Sequence, residues 1–292
     1  MKNTYDLILW IENNLNTGIK TAEISAKAGY SERHLYNRFK KQTGVSVAQY
    51  IRRRKLTLAA ALLRTTSRTV TEISLMYGFE SLQSFSRAFK KQFGEYPTPY
   101  RNAGIWDMGL CQPPITRLTY PVHPYMITIP GNIPGNIPGN IPDNYQTLSN
   151  KVILGTDFLL SKKGSQLQIN KLLTDINLKI FNSVSHMNYF IICGRMKPGK
   201  GHDANIYYSI IELSDTDNRQ KALPPGHYAK VAFSGTYSEI IQFQAWANSQ
   251  LLTKYKCKML DGDYFTVFKR RKNHDIYDIN YHIPCLPPAI LA

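Results

Sequence analysis

Hydrophobic and polar positions recur with two periods along these 292 residues. The spacing is helical through roughly the first hundred and mixed with strand-like alternation after about residue 150. The sharpest helical pattern lies in Ser81 to Arg101, SLQSFSRAFKKQFGEYPTPYR. Ser81 is a good N-cap, and Phe85 and Phe89, one turn apart, give a buried face. Gln83, Ser86, Arg87 and Lys90 fall at i, i+3, i+4 and i+7, a single stripe on the opposite side. An amide, a hydroxyl, a guanidinium and an ammonium are the groups that reach base edges and phosphates in a DNA major groove. Just upstream, Thr69 and Glu72 have capping-box spacing and Gly78 stands where a helix-ending glycine belongs. The pattern predicts a short helix, a tight turn and a second helix with polar groups outward, which is a helix-turn-helix.

The chain does this twice. Ile24, Gly29 and Tyr30 match Ile73, Gly78 and Phe79. After one inserted residue, Ser31, Leu35, Phe39, Lys40, Lys41, Gln42, Gly44 and Tyr50 match Ser81, Phe85, Phe89, Lys90, Lys91, Gln92, Gly94 and Tyr100. Arg33, Tyr36, Asn37 and Lys40 then occupy the outward stripe. A solvated face is the plain alternative, but such a face has no reason to recur in register with its core partners. Arg33, Tyr36, Asn37, Gln83, Ser86 and Arg87 are therefore read as base-contacting, and Lys40, Lys41, Lys90 and Lys91 as phosphate-contacting. Arg38 is angled toward the packing side, and His34, beside Leu35, reads as a packed or capping histidine. Tyr5 to Leu15 predicts an amphipathic helix under the first unit. Ser46 to Thr65 predicts one long helix whose apolar stripe serves both units. Its run Arg52, Arg53, Arg54 and Lys55 reads as largely solvated, with one or two members near phosphate.

The pattern breaks between Gly104 and Asp143. Prolines cluster there, followed by the tetrapeptide IPGN three times and IPDN once, Ile129 to Asn144. Proline removes backbone donors and fixes φ, so neither a helix nor a central strand suits the stretch. It reads as a surface loop or linker, too short in repeats for a solenoid. Beyond it, strands are expected over 152–160, 189–196, 206–213, 228–234, 264–269 and 276–283, with helices over 166–181 and 238–252. That is β-α-β-β twice. The fold class is thus multidomain: an all-α unit with two helix-turn-helix motifs over 1–105, a Pro/Gly-rich connector over 106–144, and a duplicated α+β unit over 145–292.

Charge adds to this picture. The net charge is +16, which favours a polyanionic partner. Through Leu110 there are 17 basic and 8 acidic residues, against 19 and 12 in the longer remainder, so basic density lies on the helical part. Cys111, Cys193, Cys257 and Cys285 have no metal spacing and read as reduced thiols. No signal peptide and no bilayer-length apolar run is visible, and a cytoplasmic protein at the nucleoid is expected. No nucleophile-elbow, zinc-protease, P-loop or dinucleotide motif occurs. Gly199 and Gly201 flank Lys200 without a following helix. No catalytic residue, metal or cofactor is therefore assigned.

The strings GYSERHLYNRFKKQTG, YIRRRKL and GFESLQSFSRAFKKQFGEYPTPYR resemble the AraC/XylS family of transcription regulators, most closely its MarA, SoxS and Rob group. The resemblance covers residues 5 to 101. It implies two rigidly joined helix-turn-helix units that bind double-stranded DNA as a monomer, RNA polymerase as a partner, and activation as the sign of regulation. The second half, with LPPGHYAKVAFSGTYSEI, is similar to GyrI-like effector-binding domains. The order of parts, connector included, is Rob-like. GyrI-like pockets carry a glutamate before the penultimate strand, where this chain reads LDGDYFTVF, so Asp263 or Asp261 would stand in for it. Tyr207, Tyr237, Trp246 and Asp263 are the expected pocket for a small apolar or cationic effector. Two alternatives stand beside this reading: a nonspecific basic architectural protein, and a GyrI-like hydrolase using Asp263 with Tyr207 or Tyr237.

Overall fold

The structure is a computed structural model that describes residues 4–16, 18–130, 147–154, 180–198, 204–213, 223–272 and 275–286. Seven helices open the chain: α1 (Thr4–Glu12), α2 (Thr21–Ala28), α3 (Glu32–Thr43), α4 (Val47–Thr65), α5 (Val70–Met76), α6 (Leu82–Phe93) and α7 (Pro97–Asn102). Their ends follow local chemistry. The hydroxyls of Ser31, Ser46 and Ser81 accept from the backbone N–H of His34, Gln49 and Ser84, satisfying donors that the first turn leaves free. Thr69 and Glu72 form the full capping box. Gly29, Gly44, Gly78 and Gly94 all have positive φ. At Gly78 the left-handed turn also brings the backbone against Gly18, whose Cα lies 3.4 Å from where a Cβ would stand.

Helix α4 joins the two helix-turn-helix units by serving both cores. Val47, Tyr50 and Ile51 pack with Leu7, Ile8 and Ile11 of α1 and with Leu35 and Phe39 of α3. Further along, Leu56, Ala59, Ala60 and Leu63 pack with Ile73, Phe85 and Phe89. Leu58 touches both clusters. Each buried aromatic contributes roughly 3–5 kcal/mol against truncation, so neither unit is held by its own helices alone.

The charge run on α4 does not stay in water, contrary to expectation. Arg52 and Arg53 are exposed, but Arg54 and Lys55 are buried. Arg54 donates to Glu12 of α1 at 2.7 and 2.9 Å and to the Gln112 carbonyl at 2.8 Å. Tyr50 gives its hydroxyl hydrogen to the same carboxylate at 2.7 Å. Burial works against the Arg54 charge, and the Glu12 carboxylate outweighs it and raises the pKa. Lys55, also penalised by burial, is lowered.

The second half is an antiparallel sheet. Its strands are β1 (Ile105–Asp107), β2 (Tyr125–Ile129), β3 (Thr147–Leu154), β4 (Tyr189–Pro198), β5 (Ala204–Glu212), β6 (Gly226–Thr236), β7 (Lys258–Leu260), β8 (Tyr264–Arg270) and β9 (Ile276–Leu286). Along the main path β3, β5, β4, β8, β9, β6 and β2 are successive neighbours, while β7 pairs with the end of β9 and β1 with β7. β4 and β8 meet at the centre. The β-α-β-β order occurs twice, as β3, the helical residues 180–184, β4 and β5, then β6, α8 (Tyr237–Trp246), β8 and β9. Strand alternation sorts the side chains. Phe190, Phe268, Tyr277 and Ile279 face Val184 and α8. Ile191, Ile211, Tyr228 and Phe265 form a separate cluster on the other face.

Two details depart from the sequence reading. The helix expected to run to 252 passes into a π-helical segment at Ala247–Leu251. Part of the stretch read as connector is built into the sheet: β1 pairs with β7 and β2 with β6, while Met108 and Cys111 join the main core. The IPGN repeats beyond Pro130, residues 155–160 of the first expected strand, the Gly199–Gly201 stretch and most of the helix expected over 166–181 lie outside the described residues.

Candidate nucleic-acid interface

Helices α3 and α6 present the two stripes as the sequence spacing requires. Leu35 and Phe39 are buried on α3, and Arg33, Tyr36, Asn37, Lys40 and Lys41 are exposed. On α6, Phe85, Ala88, Phe89 and Phe93 are buried, Gln83, Arg87, Lys90 and Lys91 are exposed, and Ser86 is half-buried. The packing behind each stripe is stiff. Phe89 meets Phe85, Phe93 and Tyr100 with ring centroids 5.6, 4.6 and 5.0 Å apart. Phe39 meets Tyr50 at 5.7 Å. Arg38 turns away from the stripe, its guanidinium 5.0 Å from the Tyr30 ring and bonded to the Tyr30 hydroxyl. His34 also packs at a tilt against Tyr30, centroids 4.7 Å apart.

Two lysines sit over aromatic rings of the same surface. The Lys40 ammonium is 5.6 Å from the Tyr36 ring and that of Lys90 is 4.5 Å from Tyr96. Tyr96 is 48% exposed at the start of α7, and sequence spacing gave no sign of it because it lies beyond the end of the α6 stripe. Lys91 borders a groove of about 390 Å³ shared with Gln49, Arg52 and Arg53 of α4. Three cations around that groove, with no carboxylate among its lining residues, make a second basic surface between the units.

The four residues expected to form an effector pocket do not come together. Tyr237 and Trp246 lie on α8 and are buried against the helix-bearing face of the sheet. Tyr237 stacks on Phe181 at 4.4 Å, and Trp246 meets Tyr120 at 5.0 Å. Asp263 lies across the sheet, held by two hydrogen bonds from Arg195, one of them 2.7 Å from Nη2 to Oδ2. Tyr207 enters only by register, its Cα opposite Arg195. Helix side and open side are separated by the full thickness of the sheet, which linear spacing does not reveal. Around Asp263, burial and the nearby carboxylate push the Cys193 thiol and the Tyr228 phenol each up to about 12. Among the described residues no cluster of His, Cys, Asp and Glu could hold a metal ion.

Two helix-turn-helix motifs in register on one shared helix define a double DNA-reading unit. A helix-turn-helix domain family model matches residues 24–103. Over 123 residues the chain is 41% identical to the transcriptional regulator Rob of Salmonella typhimurium, covering 41% of this chain and 43% of that one. It is 46% identical over 103 residues to the Tn10 TetD protein of Escherichia coli, covering 35% of this chain and 75% of TetD. It is 40% identical over 97 residues to the multiple antibiotic resistance protein MarA of Salmonella typhimurium, covering 33% of this chain and 76% of MarA. The match thus spans less than half the length of the Rob protein. The chain belongs to the AraC/XylS family of transcription regulators and is Rob-like within it.

Proposed function

We propose that this chain is a sequence-specific transcription regulator that sets α3 and α6 into successive major grooves of double-stranded DNA. It acts as a monomer and as an activator in contact with RNA polymerase, at the nucleoid in the cytoplasm. The observation that carries the reading is the pair of exposed polar stripes backed by stiff aromatic cores on one rod. Among the described residues no helix is long and apolar enough to cross a membrane. In this reading Arg33, Tyr36, Asn37, Gln83, Ser86 and Arg87 meet bases. Lys40, Lys41, Lys90 and Lys91 meet phosphates, with Arg52 and Arg53 added from the groove beside Lys91. The sheet unit over about 145–292 is a GyrI-like sensing domain whose duplicated β-α-β-β order supports the likeness.

The test compares the two halves of the DNA site. Arginine pairs bidentately with guanine, whereas asparagine suits adenine and reaches less far. Asn37 is the repeat partner of Arg87, so the half-sites differ in kind. Arg87→Ala costs about 1–3 kcal/mol and relaxes one base position, and Asn37→Arg creates a guanine preference in the other half-site. Binding-site selection on the three proteins reads both. Unchanged base preference in Arg87→Ala would reduce the α6 stripe to a solvated face. The architectural reading predicts similar affinity for selected and random DNA, and a specificity ratio decides against or for it. The hydrolase reading that pairs Asp263 with Tyr237 is disfavoured by geometry, because Tyr237 packs on the helix-bearing face while Asp263 is bonded to Arg195 on the other.

A further inference from the structure

A cleft of about 770 Å³ runs between α1 and α4 on one side and the 111–118 strap and α8 on the other. Its size falls in the range of pockets that bury a small organic molecule. The walls are mostly apolar. Leu9 stands 64% exposed on α1, Leu58 and Ala61 come from α4, and Ala245 and Trp246 from α8. Two polar atoms on the lining residues are buried yet poorly matched. Thr253 Oγ1 has no hydrogen-bond partner, and Trp106 Nε1 has only the weak acceptor sulfur of Cys111. Both atoms are closed off from the cleft surface, so what the cleft offers a ligand is chiefly apolar area. The charged lining residues balance: Glu12 and Arg54 hold each other, and Asp6 and Arg117 add one carboxylate and one guanidinium, the latter 4.3 Å from the Tyr5 ring centroid. Nothing in the walls therefore calls for an ionic ligand.

We infer that this cleft is a binding site for an uncharged, largely apolar small molecule, and that its occupancy alters DNA binding. The coupling follows from what the walls touch. Ile8 lines the cleft and also packs in the core that holds Leu35 and Phe39 of α3. The opposite wall belongs to the sheet unit, so a ligand bridging the two loads the recognition helix from behind. The site lies apart from Arg195 and Asp263 on the far face of the sheet. Only the coupling rests on the DNA-reading assignment, and ligand binding alone tests the site.

The probe is Nile red, which is uncharged and apolar, titrated into the full chain. The expected result is saturable binding of one probe per chain, weakened about tenfold or more by Ala245→Trp on one wall and Leu9→Arg on the other. Both positions are exposed, so folding is retained, and DNA affinity without probe stays within about twofold. Arg195→Ala leaves probe binding unchanged. In the wild type, saturating probe changes DNA affinity by about fivefold or more, and DNA changes probe affinity by the same factor. Non-saturable binding, equal affinity in all variants, or loss only in Arg195→Ala would overturn the site. Probe bound in the cleft with DNA affinity unmoved would overturn the coupling. Loss of DNA binding by the probe-free wild type would instead fault the functional reading, a separable outcome.

Discussion

At the scale of residues, a buried ion pair and a buried histidine set how the fold responds to substitution and pH. Glu12 and Arg54 are 8% and 5% exposed as side chains, and each is the other's main compensation. Arg54→Ala strands a buried carboxylate and is expected to cost about 3–5 kcal/mol. Replacing both partners, Glu12→Leu with Arg54→Met, recovers more than half, because an apolar pair needs no charge partner. Urea unfolding of the three proteins checks this, and equal losses in single and double variants would contradict it. His282 is the second group. It is 3% exposed, stacked on Phe265 at 4.1 Å, and burial with Lys230 nearby holds its pKa down at about 4. The unfolded chain, with an ordinary histidine pKa of about 6.5, binds the proton more readily below that pH. Stability contributed by neutral His282 is therefore present above pH about 6.5 and is lost as pH falls toward about 4, by roughly 2–3 kcal/mol. His282→Phe should flatten that acid limb in a melting series, and an unchanged slope would place the proton uptake elsewhere.

At the scale of elements, the segment after α7 is tied back onto α4 and α6. The Gln112 N–H donates to Thr57 Oγ1 at 2.9 Å, the Ile115 N–H to the Tyr50 hydroxyl at 3.2 Å, and Gln92 Nε2 to the Leu110 carbonyl at 3.2 Å. A fragment ending at Gly104 loses all three and uncovers the core beside Met108 and Cys111. We expect fragments 1–104 and 1–118 to select the same DNA site, with the longer melting at least about 4–8 °C higher, the shift that 1 kcal/mol gives a domain of this size. Equal melting temperatures would mean that the strap contributes nothing. The helical half was legible because its signals are local: capping serines, turn glycines and a stripe repeated in register. Five main strands of the sheet unit, β4, β5, β6, β8 and β9, were legible from alternation for the same reason, while the strand expected over 152–160 meets β3 only at 152–154. β1, β2 and β7 were not, since three to five residues are too few to carry a period and form only against partners far along the chain. Burial of Arg54 was hidden likewise, its partner lying 42 residues away. The pocket expectation failed on topology: the face on which Tyr237 or Asp263 lands depends on strand order, which no local pattern contains.

At the scale of the whole molecule, the decisive quantity is the distance between α3 and α6. The 19 residues of α4 rise about 1.5 Å each, about 28 Å in all, close to the roughly 34 Å of one DNA turn that separates successive major grooves on one face. Because α4 is buried in both cores, it cannot bend or slide without unpacking one of them. Inserting five base pairs between the half-sites rotates one to the far side of the duplex. Inserting ten restores the face but moves it another turn away, beyond the rod. Both insertions should cut affinity to that of a single half-site, about 10²-fold in each case. A flexible tether would instead recover binding at ten, so recovery there would show that α4 is not the spacer. Salt gives the complementary measure. With about 6–10 phosphate contacts, log affinity falls steeply and linearly with log salt. Lys90→Ala should lower that slope by about one while leaving base preference intact. A slope lost together with preference would move Lys90 from the backbone to the bases, and the register of α6 in its groove would have to turn with it.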